Sequence, residues 1–252
     1  MATRTKGSAR IELRPREERG VTGAGGLEGH HHFCFAGYQR LDRLEWGGLR
    51  ALNSCRLAAG VRREPAFLSG FEVITLVNAG RLLRIGSLES KHEMGAGSVE
   101  VISTGTGANL GLEAIGSDPA EFIEIWLVTD RSLRRARRRW QPALPEGGES
   151  ILAAMAPSPA ALKLAANAAV LCVSLADRDG FARKLAPGAC AYLVGIAGAI
   201  EAGAQRVRPG DALAIAGPGE FRASGRGSFL YVETGPAAER QQTAKRLRAR
   251  AI

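Results

Sequence analysis

The segment FEVITLVNAGRLLRIGSLES, residues 71–90, decides the fold class of this chain. Phe71–Asn78 and Gly80–Ile85 are short runs whose β-branched, aromatic and apolar content is typical of half-buried β-strands. The VNAG and GSLES stretches predict hairpin turns, because Gly80 and Gly86 can adopt the positive φ angles that tight turns require. The segment therefore predicts antiparallel strands joined by tight turns.

The same pattern of short apolar runs and turn residues continues outward from this segment, about every 8–12 positions, which is the spacing of an antiparallel barrel or sandwich. Further strands are predicted at Ile11–Arg14, Leu49–Asn53, Ser98–Thr104, Phe122–Val128, Cys190–Val194, Ala212–Ala216 and Phe229–Glu233. The 32 glycines among 252 residues fit a folded protein with many turns. We therefore expect an all-β fold.

The chain divides at QPALPEGGES, residues 141–150, because this segment is rich in Pro and Gly and poor in apolar residues, as linkers are. We predict a flexible N-terminus over residues 1–10, a first domain over 11–140, this linker, a second domain over 151–236 and a basic tail over 237–252. The second domain repeats the strand and turn pattern of the first.

Five segments of the first half have the order and spacing of one known family. They are IELRPREERG at 11–20, HHFCFA at 31–36 followed by Tyr38, WGGLRALN at 46–53, FEVIT at 71–75 and STGTG at 103–107. On these residues the chain resembles the pirin family. The resemblance implies two cupin-like antiparallel β-barrels, of the jelly-roll type, in tandem. It also implies a strand within residues 160–176, although the Ala-rich and Leu-rich composition there by itself favours a helix.

The resemblance further implies a metal site in the first barrel. Members of the family bind one metal ion there, usually iron, through three histidines and one glutamate. The matching positions of this chain are occupied by Ala66, Leu68, Leu110 and Leu112. Divalent metals are held by imidazole, thiolate or carboxylate groups, and alkyl side chains donate no lone pair. We therefore predict no metal, no cofactor and a barrel interior lined with hydrocarbon.

The loss of these ligands favours a non-catalytic protein that acts through contacts with a protein partner or by enclosing a small apolar ligand. Within the barrel, Glu72 and Asn109 are the polar groups that we expect in such a pocket. The alternative is a metal-dependent oxidoreductase of the quercetin 2,3-dioxygenase type, which the resemblance implies for an intact site and which needs a redox metal. The chain has no HExxH, GxSxG or P-loop motif that would indicate other catalytic chemistry.

The net charge of +9 raises the question of an acidic partner such as nucleic acid. Positive charge concentrates in residues 131–139 and 240–250. The candidate nucleic-acid contacts are Arg134, Arg135, Arg137, Arg138 and Arg139. Trp140 is the one aromatic residue beside this cluster, whereas base stacking would need aromatic residues within it. A solvated surface is therefore the favoured interpretation of the basic segment.

No apolar stretch approaches the roughly 18 residues that a membrane-spanning helix needs, and the start of the chain lacks the apolar core of a signal peptide. Cys34, Cys55, Cys172 and Cys190 are far apart and form no CxxC pair, so we expect free thiols. These features lead us to expect a cytoplasmic protein with no membrane partner, and the resemblance to the pirin family implies a monomer.

Overall fold

A computed structural model describes residues 7–88, 91–129, 135–141, 148–156, 161–176 and 179–236. The regular structure in these residues is β-strand, apart from two short 3₁₀ turns at Arg16–Glu18 and Leu41–Arg43. Within the described residues no helix has the length and apolar character needed to cross a membrane. The predicted all-β fold is confirmed.

The strands of the first half of the chain are β1 (Arg10–Arg14), β2 (Gly20–Ala24), β3 (Leu27–His31), β4 (Leu49–Leu57), β5 (Arg62–Leu68), β6 (Phe71–Ala79), β7 (Arg81–Gly86), β8 (His92–Gly95), β9 (Val99–Ser103), β10 (Ala108–Ala114), β11 (Ala120–Val128) and β12 (Arg137–Gln141). Those of the second half are β13 (Glu149–Ala154), β14 (Leu162–Lys163), β15 (Ala168–Leu175), β16 (Gly180–Leu185), β17 (Cys190–Ala202), β18 (Gln205–Val207), β19 (Ala212–Ala216) and β20 (Gly219–Thr234). Every strand that we predicted is present, although β4, β17 and β20 are longer than predicted.

The first barrel is built from two facing sheets. One sheet has seven strands in the order β12-β9-β6-β11-β4-β3-β2, and the other has four strands in the order β5-β10-β7-β8. Val77 and Phe122 from the larger sheet share one buried cluster with Leu82, Met94 and Leu112 from the smaller sheet. The space between the two sheets is therefore the interior of the barrel.

The second barrel is formed by one nine-stranded sheet with the path β1-β19-β17-β20-β15-β13-β14, in which β16 also pairs with β20 and β18 with β17. The long strand β20 serves both walls, because its residues 219–224 pair with β16 and its residues 227–234 pair with β15. The interior of the second barrel contains aromatic rings, including those of Phe181, Phe221 and Phe229. Apart from β1, the strands of the first barrel precede those of the second along the chain, which confirms the predicted tandem architecture.

The start of the chain belongs to the second barrel. Strand β1 pairs with β19 in unbroken antiparallel register, from Arg10 opposite Ala216 to Arg14 opposite Ala212. Just before β1, the Ala9 N–H donates to the Glu220 carbonyl at 3.1 Å. This pairing corrects the prediction that the first domain starts at residue 11. Residues 7–9 also lie against the sheet of the second barrel, through backbone hydrogen bonds and an isolated bridge with Glu220.

Several predicted boundaries fall outside the described residues. Most of the predicted linker, residues 142–147, lies outside them, as do residues 1–6 of the predicted flexible N-terminus and the whole predicted tail, 237–252. Within residues 161–176 the predicted strand is confirmed as β14 and β15. Strand β15 lies between β13 and β20, so hydrogen bonds on both sides outweigh the local helical preference of its alanines.

The two barrels share an apolar interface. Ile74 and Ile125 of the first barrel lie in one buried cluster with Tyr192 of the second barrel. Successive side chains of a strand point to opposite faces. On β6, Glu72 and Ile74 therefore face the second barrel, whereas Thr75 faces the interior of the first.

Candidate functional site in the first barrel

The four positions that the resemblance assigns to metal ligands lie on two neighbouring strands of the smaller sheet. Ala66 and Leu68 belong to β5, and Leu110 and Leu112 belong to β10. The strand register pairs Leu110 directly with Ala66, and Leu68 packs against the buried cluster that contains Leu110. Leu112, two positions further along β10, is fully buried. The strand pairing thus brings the four alkyl side chains to one part of the barrel wall.

Leu112 lies between two arginines. In the smaller sheet it pairs with Arg63 of β5 on one side and with Arg84 of β7 on the other. Directly paired residues of adjacent strands carry their side chains on the same face of a sheet. Because Leu112 is buried in the cluster between the sheets, the shared face is the barrel interior. Arg63 and Arg84 therefore point into the barrel on either side of Leu112.

Both arginines form ion pairs with glutamates of the facing sheet. Arg63 Nη2 donates to Oε2 of Glu124 on β11 at 2.6 Å. Arg84 Nε donates to Oε2 of Glu100 on β9 at 2.8 Å, and its Nη2 donates to Thr75 Oγ1 at 2.7 Å. The side chains of Arg84, Glu100 and Glu124 are 1%, 0% and 1% exposed, and that of Arg63 is 22% exposed. We call Arg63–Glu124 and Arg84–Glu100 the interior ion pairs.

The interior ion pairs contradict the expectation of a barrel lined with hydrocarbon, which is wrong. The alkyl side chains occupy the ligand positions, but charged side chains from neighbouring positions fill the adjoining space. A protein interior tolerates a charge when an opposite charge and hydrogen bonds compensate it, and the ion pairs provide both. The barrel therefore combines an apolar patch with two pairs of opposite charges beside it.

The Arg63–Glu124 pair keeps both of its groups ionised. Burial acts to raise the pKa of the Glu124 carboxyl, but attraction to Arg63, to Arg84 and to the Trp126 indole N–H outweighs burial. That N–H donates to Glu124 Oε1 at 2.9 Å. The net pKa of Glu124 is therefore below its usual value. Burial acts to lower the pKa of Arg63, and attraction to Glu124 raises it above its usual value.

His31 adjoins the interior ion pairs, but both of its ring nitrogens are engaged. It pairs with Asn53 on β4, which in turn pairs with Glu124. His31 Nδ1 hydrogen-bonds to Asn53 Oδ1 at 2.9 Å, and Nε2 to Thr22 Oγ1 at 2.8 Å. Burial lowers the pKa of His31, which favours the neutral ring. Among the described residues, no group of three or more His, Cys, Asp or Glu side chains could hold a metal ion.

The structure does not bring Glu72 and Asn109 together. Glu72 is fully buried against the second barrel, whereas Asn109 is exposed at the surface. Glu72 Oε1 accepts hydrogen bonds from Ser103 Oγ at 2.6 Å and from Arg139 Nη2 at 3.0 Å. Its Oε2 accepts from the backbone N–H groups of Ala165 at 2.9 Å and Ala166 at 3.0 Å. Glu72 therefore joins the two barrels and does not line the interior of the first.

Two arginines of the basic segment lie beside buried glutamates. Arg139 is bound to Glu72, and Arg138 Nε lies 3.9 Å from Oε1 of the buried Glu100. Arg135 and Arg137 are exposed, and Arg134 lies outside the described residues. Part of the positive charge in this segment thus compensates buried carboxylates.

The sequence reasoning missed the four residues of the interior ion pairs. A signal was available for the two glutamates, because Glu100 in VEVIS and Glu124 in FIEIW are single charges within apolar strands. Such a strand is buried on both faces, so a charge within it must be paired. The arginine partners gave no comparable signal, since RREP and RLLRIG resemble ordinary exposed strands.

The comparisons with known sequences point to one group of relatives. No family model matches the chain. A Pseudomonas aeruginosa protein named "Putative quercetin 2,3-dioxygenase PA1210" is 33% identical over 211 residues, which cover 81% of this chain and 90% of the relative. A pirin-like protein of Caulobacter vibrioides is 27% identical over 210 residues, covering 81% of this chain and 90% of that protein.

The comparison with solved structures shows the same fold. The crystal structure of the bacterial pirin YhhW from Escherichia coli in complex with nickel(II) matches with a TM-score of 0.85. The match covers 90% of this chain and 100% of that one, at 20% sequence identity. A quercetin 2,3-dioxygenase from Acinetobacter baumannii matches with a TM-score of 0.73 over 91% of this chain and 88% of that one, at 14% identity.

Proposed function

This chain belongs to the pirin family, and from that premise we propose that it is a non-catalytic member, which binds a protein partner or a small apolar ligand. The proposal includes the loss of the metal site in the first barrel. It excludes for this chain the quercetin 2,3-dioxygenase activity after which several relatives are named.

The proposal rests on the side chains that surround Leu112. A metal ion of the kind that the family binds would be held at Ala66, Leu68, Leu110 and Leu112, and these side chains do not fit a metal. Two guanidinium groups, held in ion pairs by Glu124 and Glu100, flank the last of these positions and offer a cation no lone pair. The nearby carboxylates of Glu100 and Glu124 are bound to those guanidinium groups. Metal-dependent oxygenase chemistry therefore has no support in this barrel.

A binding role is supported by apolar side chains that remain partly accessible beside the ligand positions. Leu68, Phe71 and Trp126 are half-buried and pack against the buried cluster that contains Leu110. The rings of Phe71 and Trp126 lie 5.6 Å apart. Phe67, on the opposite face of β5, is 65% exposed. Clustered apolar side chains that remain accessible are typical of ligand and protein contact sites.

The proposal is tested by elemental analysis and an oxygenase assay on the full chain. Protein purified from nickel-containing and from iron-containing medium is analysed for transition metals, with YhhW of Escherichia coli prepared in parallel as the metal-binding control. We expect far less than one metal ion per chain and no oxygen consumption with quercetin. Stoichiometric metal in the first barrel, or turnover of quercetin, would overturn the proposal.

A further inference from the structure

We propose that Arg63 and Arg84 are specificity-determining residues, which exclude metal ions from the first barrel independently of the four lost ligands. This inference rests on the proposed function and extends it. It assigns the exclusion of cations to two side chains outside the ligand positions. It therefore predicts what happens when those ligands are put back.

The geometry places both arginines where they act on position 112. Each is a direct cross-strand partner of Leu112, so any side chain at this position shares the barrel interior with two guanidinium groups. Arg84 is 1% exposed and hydrogen-bonded to Glu100, Thr75 and the Gly111 carbonyl, which fixes its position. A glutamate at position 112 would be drawn to these arginines and away from a metal.

The carboxylates beside the ligand positions are engaged by arginines. Glu124 is bound by Arg63 through both oxygens, at 2.6 and 3.4 Å, and receives the Trp126 N–H as well. Glu100 is bound by Arg84 through Oε2, and its Oε1 faces Arg138 at 3.9 Å. To coordinate a cation through the oxygens that these arginines hold, either glutamate would have to leave a guanidinium without its partner, which is unfavourable.

Restoring the family ligands is therefore not sufficient to restore metal binding. A chain with Ala66→His, Leu68→His, Leu110→His and Leu112→Glu, the four-ligand variant, has the donor atoms but retains both guanidinium groups. Replacing the interior ion pairs as well, by Arg63→Gln, Arg84→Gln, Glu100→Gln and Glu124→Gln, removes two positive and two negative charges. This eight-substitution variant keeps the interior charge balanced while freeing position 112.

The experiment measures Ni²⁺ binding to both variants in the full chain by isothermal titration calorimetry, with elemental analysis after dialysis. Loss of a group that supports a metal ligand typically costs about 10–100-fold in metal affinity. A group that holds a ligand away from the metal should act in the opposite direction on the same scale. With two arginines removed we expect the eight-substitution variant to bind Ni²⁺ about 100-fold more tightly than the four-ligand variant. Equal affinities in the two variants would overturn the inference.

A matched control uses the ion pair between Arg139 and Glu72, which lies on the face of β6 that packs against the second barrel. Adding Arg139→Gln and Glu72→Gln to the four-ligand variant removes a buried pair of the same chemistry that lies outside the barrel interior. This control should bind Ni²⁺ as weakly as the four-ligand variant. If it gains as much affinity as the eight-substitution variant, the effect is not specific to Arg63 and Arg84, and the inference fails.

Two smaller variants keep the inference testable if eight substitutions prevent folding. One adds only Arg63→Gln with Glu124→Gln to the four-ligand variant, and the other adds only Arg84→Gln with Glu100→Gln. Each should bind Ni²⁺ more tightly than the four-ligand variant. If neither variant gains affinity, the inference is contradicted. Metal in the unaltered chain would instead contradict the proposed function, so the two failures are distinguishable.

Discussion

The two barrels share one architecture but fill their interiors differently. In the first barrel, the interior ion pairs cross from one sheet to the other. In the second, Phe181 packs against Phe229 and Tyr231, with ring centroids 5.2 and 5.0 Å away. The carboxylate of Glu233 lies half-buried beside that aromatic cluster. The fold itself therefore does not require buried charge, and the charged interior is a property of the first barrel.

The largest effect is expected from breaking one interior ion pair. Arg84→Met leaves Glu100 buried without its partner, and removing one member of a buried pair costs about 3–5 kcal/mol. Urea unfolding followed by tryptophan fluorescence measures this loss of stability. All three tryptophans lie at or before residue 140, in the part of the chain that forms the first barrel.

The matched control for this prediction lies in the second barrel. Arg222 is 73% exposed and pairs with Glu220, so Arg222→Met should change the free energy of unfolding by less than about 1 kcal/mol. Similar losses in the two variants would show that burial of the pair is not the cause.

The interface between the barrels should give the next largest effect. Glu72→Ala removes the acceptor for two backbone N–H groups and for Arg139, and hydrogen bonds to a charged group contribute about 1.5–3 kcal/mol. We expect a loss of about 2–3 kcal/mol in unfolding experiments. Glu121→Ala, an exposed residue on β11, is the control and should be close to neutral. A neutral Glu72→Ala would mean that Glu72 does not hold the barrels together.

Sequence reasoning could find the strands but not the pairing that makes the site. The alternation in FEVITLVNAG and the turn glycines act locally, so β6 and β7 were predictable from their own residues. The pairing of β1 with β19 joins residues about two hundred positions apart, and nothing within RIELR specifies that partner.

The same distinction applies to the candidate site. The absence of ligands at Leu110 and Leu112 is visible in the sequence once the resemblance is known. That Leu112 lies between Arg63 and Arg84 depends on the register of three strands and on one extra residue in β5, between Arg63 and Ala66. Such a register depends on tertiary packing, which no local pattern encodes.

A smaller effect is expected when an interior ion pair is replaced as a whole. Arg84→Met combined with Glu100→Leu removes both charges together and makes the first interior resemble the second. Replacing a buried ion pair by apolar residues of similar volume is often neutral or stabilising. We expect the double variant to unfold within about 1 kcal/mol of the unaltered chain, or to be more stable. A loss as large as that of Arg84→Met alone would show that the pair is needed for folding.

The smallest expected effect is a pH dependence of the free energy of unfolding, which arises from the protonation of Glu124 in the first barrel. Its pKa is lowered in the folded chain, so the Arg63–Glu124 pair stabilises the fold above the ordinary glutamate pKa of about 4.3. That contribution is lost as the pH falls through the lowered value, because the protonated carboxyl no longer attracts Arg63. The double variant Arg63→Gln with Glu124→Gln lacks this contribution. On acidification below about pH 4.3, the unaltered chain should therefore lose more free energy of unfolding than the variant does. Urea unfolding of both proteins across this range measures the difference. A difference that stays constant, or that moves toward the unaltered chain in acid, would show that Glu124 does not depend on Arg63 for its charge.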